Sequence, residues 1–360
     1  MRYHCRPLDD PARNLHLVHA WRKRLEQTMP GLPEFRLQTA DLQQAGEAVR
    51  QQRCGAWEIT NAADTPGRSM LLAIPTALDP LTPKAQFFPQ RYATLQFSSL
   101  EEAPRQDVFA LYAAAAEFLL YKHIAVHRSA VYAAQHSMAG IWNDLGFARY
   151  HCHAVRPIEA AGNANELRQR PGNPSPTDSH TAADTCLPSG CTIRAAGPAD
   201  QPVLERLFGI LAARHHVASI AITRPAPPAE VYTALPGELR NERYCHRICE
   251  YQGRAVGFID AYSARHGEGY LAPLTRGPFV YIRNCCVIPE LQGRGIGTAL
   301  VQEVLEWSRG CPDQPQQLHL DYRTANIPAG SFWEKCGFEP LLYGLLRVSQ
   351  LPKTRGLFRR

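Results

Sequence analysis

Hydrophobic positions fall into two long stretches of regular pattern, separated by a polar segment. Residues 159–191 are rich in proline, glycine, serine and asparagine and contain almost no large apolar residue. That composition is typical of a flexible linker. We therefore predict one domain over residues 1–158, a second domain over 192–349, and a basic tail over 350–360.

Alternating and 3.6-residue patterns predict the elements of each stretch. In the first stretch, strands are predicted at residues 3–8, 56–61, 69–75, 92–97, 127–133 and 150–156, and helices at 15–28, 41–53, 106–123 and 137–145. In the second stretch, strands are predicted at 192–196, 244–251, 255–263, 279–288, 318–322 and 343–348. Helices are predicted after Gly197, within 225–239, and over 298–307 and 328–336. The second stretch thus has the order β-α-α-β-β-β-α-β-α-β.

Composition is that of an ordinary soluble globular protein, with 45% hydrophobic and 20% charged residues. The formal net charge of +6 is modest for 360 residues, and no basic aromatic stripe is present, so we expect no nucleic-acid partner. The longest apolar stretch, 109–121, is interrupted by Glu117 and is too short to span a bilayer, so we expect no membrane partner. Without a signal peptide or a disulfide spacing among the eleven cysteines, we expect a cytoplasmic protein with reduced thiols.

A glycine-rich turn follows the strand predicted at 279–288. Pro289 ends that strand because proline has no N–H to donate to a ladder. Gly293, Gly295 and Gly297 then come at every second position, immediately before a helix. Glycines allow successive backbone amides to turn inward, and a helix N-terminus favours anions. Arg294 adds a guanidinium for phosphate oxygens, so the turn is predicted to hold a pyrophosphate.

The spacing of the turn distinguishes between kinds of phosphate loop. No Lys-Ser or Lys-Thr follows the glycines, and the GxGxG spacing differs from the dinucleotide fingerprint. The pattern Q/R-x-x-G-x-G/A fits with Gln292, Gly295 and Gly297. This segment resembles the acetyl-CoA pyrophosphate loop of the GNAT superfamily of N-acetyltransferases. A glycine-rich turn without a ligand is the alternative interpretation.

A second motif supports the resemblance. Residues 326–338 match N-x-x-A-x-x-x-Y/W-x-x-x-G-F, with Asn326 first and Trp333 at the aromatic position. The two motifs occur in the family's order, about thirty residues apart. The resemblance implies that residues 192–349 have the GNAT fold. The expected class is α/β (α+β), with a mixed, mostly antiparallel sheet flanked by helices.

The first stretch repeats part of the second. Trp142 and Trp333, and likewise Gly146 and Gly337, are 191 positions apart. We therefore predict that residues 1–158 form a second, degenerate GNAT-like domain. The segment before its long helix has two carboxylates and no glycine, so no acetyl-CoA is expected there. This tandem arrangement with a decayed first copy resembles mycothiol synthases in architecture.

The resemblance also implies where the cofactor binds. Acetyl-pantetheine would lie between the strands 279–288 and 318–322, which separate in the family, and no metal is expected. The implied cofactor-binding residues are Cys286, Val287, Ile288, Gln292, Gly293, Arg294, Gly295, Ile296, Gly297, Thr298, Asn326 and Trp333.

The catalytic residues follow less directly from the family pattern. Tyr281 occupies the position where several members have a glutamate base, and Trp333 occupies the position of the usual tyrosine acid. We expect a water chain that ends at Asp260, Glu268 or Asp321 to remove the amine proton. Tyr281, Asp321 and Tyr343 are the catalytic candidates, and His319 is expected to be an exposed strand residue.

The leading hypothesis is an N-acetyltransferase that moves an acetyl group from acetyl-CoA to a primary amine of a small molecule, by direct transfer in a ternary complex. A non-catalytic acyl-CoA-binding or regulatory protein is one alternative, motivated by Tyr281 and Trp333. A protein N-terminal or lysine acetyltransferase is another.

Overall fold

The computed structural model describes residues 4–9, 11–28, 46–60, 67–78, 89–99, 104–158, 187–218, 233–265 and 277–349. The chain forms two compact units, of which the first contains Met1–Cys152 and Leu341–Arg360 and the second contains His153–Pro340. Most of the predicted linker and the whole basic tail lie outside the described residues. Within the described ranges, no helix is long and apolar enough to cross a membrane.

The first unit is a sheet with helices packed against it. Its elements are β1 (His4–Pro7), α1 (Leu15–Thr28), β2 (Gly55–Thr60), β3 (Ser69–Ala77), β4 (Arg91–Ser99), α2 (Arg105–Tyr121), β5 (Val126–Tyr132), α3 (His136–Asp144), the start of β6 (Ala148–Pro157) and most of β12 (Glu339–Val348). The strand order is β1-β2-β3-β4-β5-β12, and β4 and β5 are parallel. Leu111 and Leu119 of α2 pack with Trp142 of α3 in the main core of this unit.

The second unit contains the glycine-rich turn. Its elements are the end of β6, β7 (Cys191–Ala195), α4 (Gln201–Ala218), α5 (Leu235–Glu238), β8 (Tyr244–Tyr251), β9 (Arg254–Ala264), β10 (Phe279–Val287), α6 (Ile296–Arg309), β11 (Gln317–Arg323) and α7 (Ile327–Lys335). The strand order is β7-β8-β9-β10-β11-β6, and β10 and β11 are parallel. Leu300, Val304 and Leu305 form the buried stripe of α6 at helical spacing. The predicted mixed α/β architecture is confirmed.

At least half of the last strand of each sequence repeat lies in the compact unit that consists mainly of the other repeat. The sequence prediction assigned the strand at 343–348 to residues 192–349, whereas β12 pairs antiparallel with β5 from Leu342–Tyr132 to Val348–Val126. Likewise, residues 153–157 of β6 belong to the second unit. Hydrophobic alternation predicts that a segment is a strand, but it carries no information on which strand pairs with it. The domain boundaries 1–158 and 192–349 therefore describe the sequence repeats, and the packing units end elsewhere.

Two arginine hydrogen bonds accompany this exchange of last strands between the two sequence repeats. The Nη1 atom of Arg347 on β12 donates to the carbonyl of Leu145, 2.6 Å away, at the end of α3. The Nη1 atom of Arg156 on β6 donates in the same way to Cys336, 2.6 Å away, at the end of α7. Both acceptor residues precede a glycine with φ near +80°, which is Gly146 or Gly337. The two contacts are equivalent under the 191-residue repeat, and each arginine comes from the other repeat's sequence.

A fragment of residues 1–158 should not fold cooperatively, because it lacks β12 and leaves the edge of β5 unpaired. Circular dichroism during heating should show a broad, non-cooperative change for this fragment. The control is the same fragment with residues 339–349 attached through a flexible linker, which should regain a sharp transition. A sharp transition in the bare fragment would contradict the assignment of β12 to the first unit.

Candidate active site

The glycine-rich turn connects β10 to α6 and exposes a row of backbone amides. Gly293 and Gly295 have φ of 76° and 82°, in the left-handed region that glycine adopts without strain. Gly295 is the N-cap of α6, and its carbonyl accepts from the amide of Ala299, 3.0 Å away. Among the described residues, none accepts a hydrogen bond from the amides of 293–298. The turn therefore presents consecutive N–H donors at a helix N-terminus, which suits an anion.

The second sequence motif packs against this turn. A Cβ added at Gly297 would lie 3.1 Å from the ring of Phe332, so glycine at this position favours the close approach of α7 to α6. Trp333 is 7% exposed and packs edge-on against Phe338, with ring centroids 5.4 Å apart. Asn326 is the N-cap of α7. The two predicted motifs thus meet in three dimensions.

A cleft opens between β10 and β11. Their parallel pairing covers Phe279–Gln317 to Ile282–Leu320, although β10 continues to Val287. Beyond Ile282, the pairing of β10 within the described residues is with β9 alone. The two strands therefore separate on the side of the glycine-rich turn.

Backbone alternation decides which groups of β10 face this cleft. The amide of Ile288 donates to the carbonyl of Val256, 2.8 Å away, and therefore points toward β9. Because successive residues of a strand point to opposite neighbours, the backbone groups of Val287 point toward the cleft. The carbonyl of Val287 accepts from Nε2 of Gln292 at 2.8 Å, which leaves its N–H for a ligand. Of the three predicted residues Cys286, Val287 and Ile288, the geometry favours Val287.

Two of the three catalytic candidates lie together at the base of the cleft. The hydroxyl of Tyr281 donates to a carboxylate oxygen of Asp321, and Tyr281 is 7% exposed whereas Asp321 is exposed. Tyr343 instead lies on β12 in the first unit, where the guanidinium of Arg149 is 4.0 Å from its ring centroid. The structure therefore groups Tyr281 with Asp321 and assigns Tyr343 to the first unit.

His319 is fully buried, so the expectation of an exposed strand histidine is wrong. Its Nδ1 atom lies 3.0 Å from Nε2 of buried His153, and its Nε2 atom lies 3.1 Å from Oε1 of Gln317. Burial lowers the pKa of His319 to about 3 and that of His153 to about 4, and the charge of Asp321 partly opposes the second shift. The sequence could not show this pair, because its members are 166 residues apart.

A partly buried ionic cluster beside the cleft was also missed. The guanidinium of Arg283 on β10 binds both carboxylate oxygens of Glu238 on α5, at 2.8 and 2.6 Å. The same guanidinium lies 2.7 Å from Oδ2 of Asp260 on β9. An arginine in an otherwise apolar strand was the signal in the sequence. In the described part of the chain, no three His, Cys, Asp or Glu side chains are grouped to hold a metal ion.

The corresponding helix of the first unit already has an anion at its N-terminus. Asp107, in the first turn of α2, is 1% exposed and forms an ion pair with Arg68. The hydroxyl of Ser69 donates to its other oxygen at 3.2 Å. The first turn of α2 therefore carries its own buried carboxylate, which Arg68 and Ser69 hold.

Acidification should destabilise the fold through the His153–His319 pair. In the unfolded chain both imidazoles become protonated near the ordinary pKa of 6.5. In the folded protein His153 becomes protonated only near pH 4 and His319 only near pH 3. Above about pH 7 both histidines are neutral in the folded and the unfolded protein, so their titration does not change the free energy of unfolding. Below pH 6.5 the unfolded chain binds more protons, so the free energy of unfolding falls. Urea unfolding at about pH 7 and pH 5 should show this loss, and H319Q should reduce it. The matched control is H136Q, which changes an exposed histidine and should leave the loss of stability at pH 5 unchanged. An equal loss in the native protein, H319Q and H136Q would contradict the assignment of this loss to the His153–His319 pair.

Comparison with known proteins agrees with this geometry. Residues 214–338 match the sequence profile of the acetyltransferase (GNAT) family. An aminoglycoside N(6')-acetyltransferase type 1 of Stenotrophomonas maltophilia is 32% identical over 93 residues, which are 25% of this chain and 56% of that protein. The chain thus spans about half the length of this curated relative.

One solved structure extends the likeness of fold to most of the chain. A GCN5-related N-acetyltransferase from Sphaerobacter thermophilus aligns with a TM-score of 0.51 at 14% identity, over 97% of both chains. A tandem GNAT protein from the clavulanic acid biosynthesis pathway aligns at a TM-score of 0.45 and 14% identity, over 97% of this chain and 99% of that one. The match to the acetyltransferase (GNAT) family profile thus covers residues 214–338, and the likeness to the Sphaerobacter thermophilus structure is a likeness of fold.

Proposed function

We propose that the protein is an N-acetyltransferase that moves an acetyl group from acetyl-CoA to a primary amine of a small molecule. The observation that carries the proposal is the row of amides at 293–298, without acceptors among the described residues, beside two separated parallel strands. The row of amides suits a pyrophosphate, and the gap between the two strands suits a thin extended chain. Acetyl-CoA combines both.

The amides of 293–298 would hold the pyrophosphate, and the exposed guanidinium of Arg294 would pair with its oxygens. The pantetheine arm would enter the cleft and accept a hydrogen bond from the N–H of Val287. Asn326 and Trp333, at the start and in the middle of α7, complete the expected cofactor side.

The reaction would place the amine nitrogen on the thioester carbonyl carbon, with the C–S bond breaking as the amide forms. A backbone N–H of β10 in the cleft would stabilise the negative charge that develops on the carbonyl oxygen. Asp321, oriented by the hydroxyl of Tyr281, would take the amine proton, directly or through water. Coenzyme A would leave as a thiolate and take its proton from solvent. Holding both reactants in one complex supplies much of the rate.

A small-molecule acceptor is supported by the relative with 32% identity, whose name gives an aminoglycoside as its substrate. We extend to this chain only the class, an amine on a small molecule. Cytoplasmic location with reduced thiols remains part of the same proposal.

The second candidate is a non-catalytic acyl-CoA-binding protein. Trp333 stands where the family has a tyrosine acid, and its ring is buried against Phe338. Tight acetyl-CoA binding without acetyl transfer to any member of an amine panel would favour this candidate.

Acetyl-CoA at about a hundred times its dissociation constant should raise the free energy of unfolding by about 2.7 kcal/mol. G295V should abolish this gain, because a β-branched residue strains the left-handed N-cap and crowds the amides. The matched control is G253V, which has φ of 75° in the β8–β9 turn. It should cost similar stability and keep the gain. Thermal unfolding with and without acetyl-CoA measures both, and an equal gain in G295V would contradict the assigned phosphate site.

Asp321 is the proposed base, so D321N should lower kcat by about 10²-fold or more while acetyl-CoA binding is retained. Y281F should lower kcat less, because the carboxylate remains but loses its orienting hydroxyl. Thiol release followed across pH measures the effect, and calorimetry with coenzyme A measures binding. An unchanged pH profile in D321N would remove Asp321 from the proton transfer.

A further inference from the structure

Strand β10 contains a β-bulge at Arg283, directly after its pairing with β11 ends. Ile282 is the last residue of β10 that pairs with β11, and its register partner on β9 is Ala261. Asn284, two residues later, pairs with Asp260, the immediate neighbour of Ala261. Arg283 is therefore an extra residue, so that two residues of β10 oppose one residue of β9. The bulge and the closed end of the cleft thus coincide.

The bulge decides which backbone amides of β10 face the cleft. Beyond Arg283 the register with β9 is shifted by one residue, and the amide of Ile288 donates to the carbonyl of Val256, 2.8 Å away. The N–H of Val287 therefore points to the other side, toward the cleft. Without the extra residue, Val287 would take the register position of Ile288, and its N–H would point to β9. One additional residue in the ladder thus directs the N–H of Val287 into the cleft.

Two carboxylates and two aromatic rings hold the side chain of Arg283. Its Nη1 and Nη2 atoms donate to the two carboxylate oxygens of Glu238 on α5, at 2.8 and 2.6 Å. Nη2 also lies 2.7 Å from Oδ2 of Asp260, which is fully buried on β9 beside the bulge. The guanidinium carbon is 5.3 Å from the ring centroid of Tyr244 and 5.8 Å from that of Tyr262. A bidentate pair fixes the direction as well as the position of a guanidinium, so these contacts tie the bulge to β9 and α5.

We propose that Arg283 is a positioning residue for the cofactor. Its ion pairs with Asp260 and Glu238 hold the bulge in place, and the bulge directs the N–H of Val287 to the pantetheine arm. Without these ion pairs the bulge is free to move along β10, and that N–H loses its fixed direction. The amides of 293–298 lie beyond the end of β10 at Val287, so the pyrophosphate site is retained. The inference rests on the proposed acetyl transfer and adds what positions the arm.

The test compares two ligands that share a pyrophosphate, coenzyme A and adenosine diphosphate, of which coenzyme A alone carries the pantetheine arm. R283Q should weaken the binding of coenzyme A by about tenfold, the worth of about one hydrogen bond, and leave that of adenosine diphosphate unchanged. R283K keeps a charge for Asp260 but loses the bidentate pair with Glu238, so its affinity for coenzyme A should be intermediate. Calorimetry measures both affinities, and a general loss of folding would lower both together.

Amide hydrogen exchange followed by NMR reports on the two N–H groups directly. The N–H of Ile288 should be protected without ligand, because it donates to Val256. The N–H of Val287 should become protected when coenzyme A is added. In R283Q this protection of Val287 by coenzyme A should be lost, and unchanged protection would contradict the role assigned to Arg283.

The matched control is R247Q, which also removes a partly exposed arginine that pairs with a carboxylate. The side chain of Arg247 is 21% exposed and that of Arg283 is 26% exposed, but Arg247 pairs with Glu303, away from the bulge. R247Q should therefore keep the native ratio of the two affinities.

A native ratio of the two affinities in R283Q would overturn the inference while the proposed acetyl transfer stands. An equal loss of both affinities in R283Q and in R283K would also overturn it, because the arginine would then serve folding alone. Absence of any coenzyme A binding by the native protein would instead remove the proposed function and this inference together.

Discussion

The separation of β10 from β11 after Ile282 and Leu320 is the constraint on which the site depends. Paired strands would leave no backbone group of β10 for a ligand. Once the strands part, the N–H of Val287 faces an opening, and Tyr281 and Asp321 stand at its closed end. The same divergence directs the chain into the turn that caps α6. The end of the β10–β11 pairing thus opens the cleft and places the N-terminus of α6 at its entrance.

The first unit shows the same break with different chemistry. Its parallel strands β4 and β5 pair at Ala93–His127 and Thr94–Arg128, although β4 continues to Ser99. The helix between them has Asp107 in its first turn, and Arg68 and Ser69 hold the buried carboxylate of Asp107. In both units the parallel ladder thus ends before the chain enters the next helix, and in the first unit a buried carboxylate lies in the first turn of that helix.

Short-range patterns predicted most of the fold and the glycine-rich turn before α6. The spacing of glycines before α6 and the aromatic motif of α7 are local, and each reports a backbone requirement that the structure shows. What the sequence could not predict was pairing over long distance. The partner of His319 is 166 residues away, and its burial depends on that contact. Arg283 was visible as an anomaly in β10, but its carboxylate partners come from α5 and β9. For the same reason, alternation identified β12 as a strand without identifying its neighbour.

The position of β12 also has a consequence for biosynthesis. A nascent chain emerges in order, and β5 ends at Tyr132 whereas β12 begins at Glu339. At bacterial or eukaryotic elongation speeds of about 5–20 residues per second, the intervening 200 or so residues take roughly 10 to 40 s to emerge. During that interval β5 lacks the strand that covers its edge in the folded protein, so this edge is open to non-native pairing. The order of synthesis thus leaves the edge of β5 uncovered until β12 has emerged. The wait would be shorter if the first repeat's own last strand covered this edge.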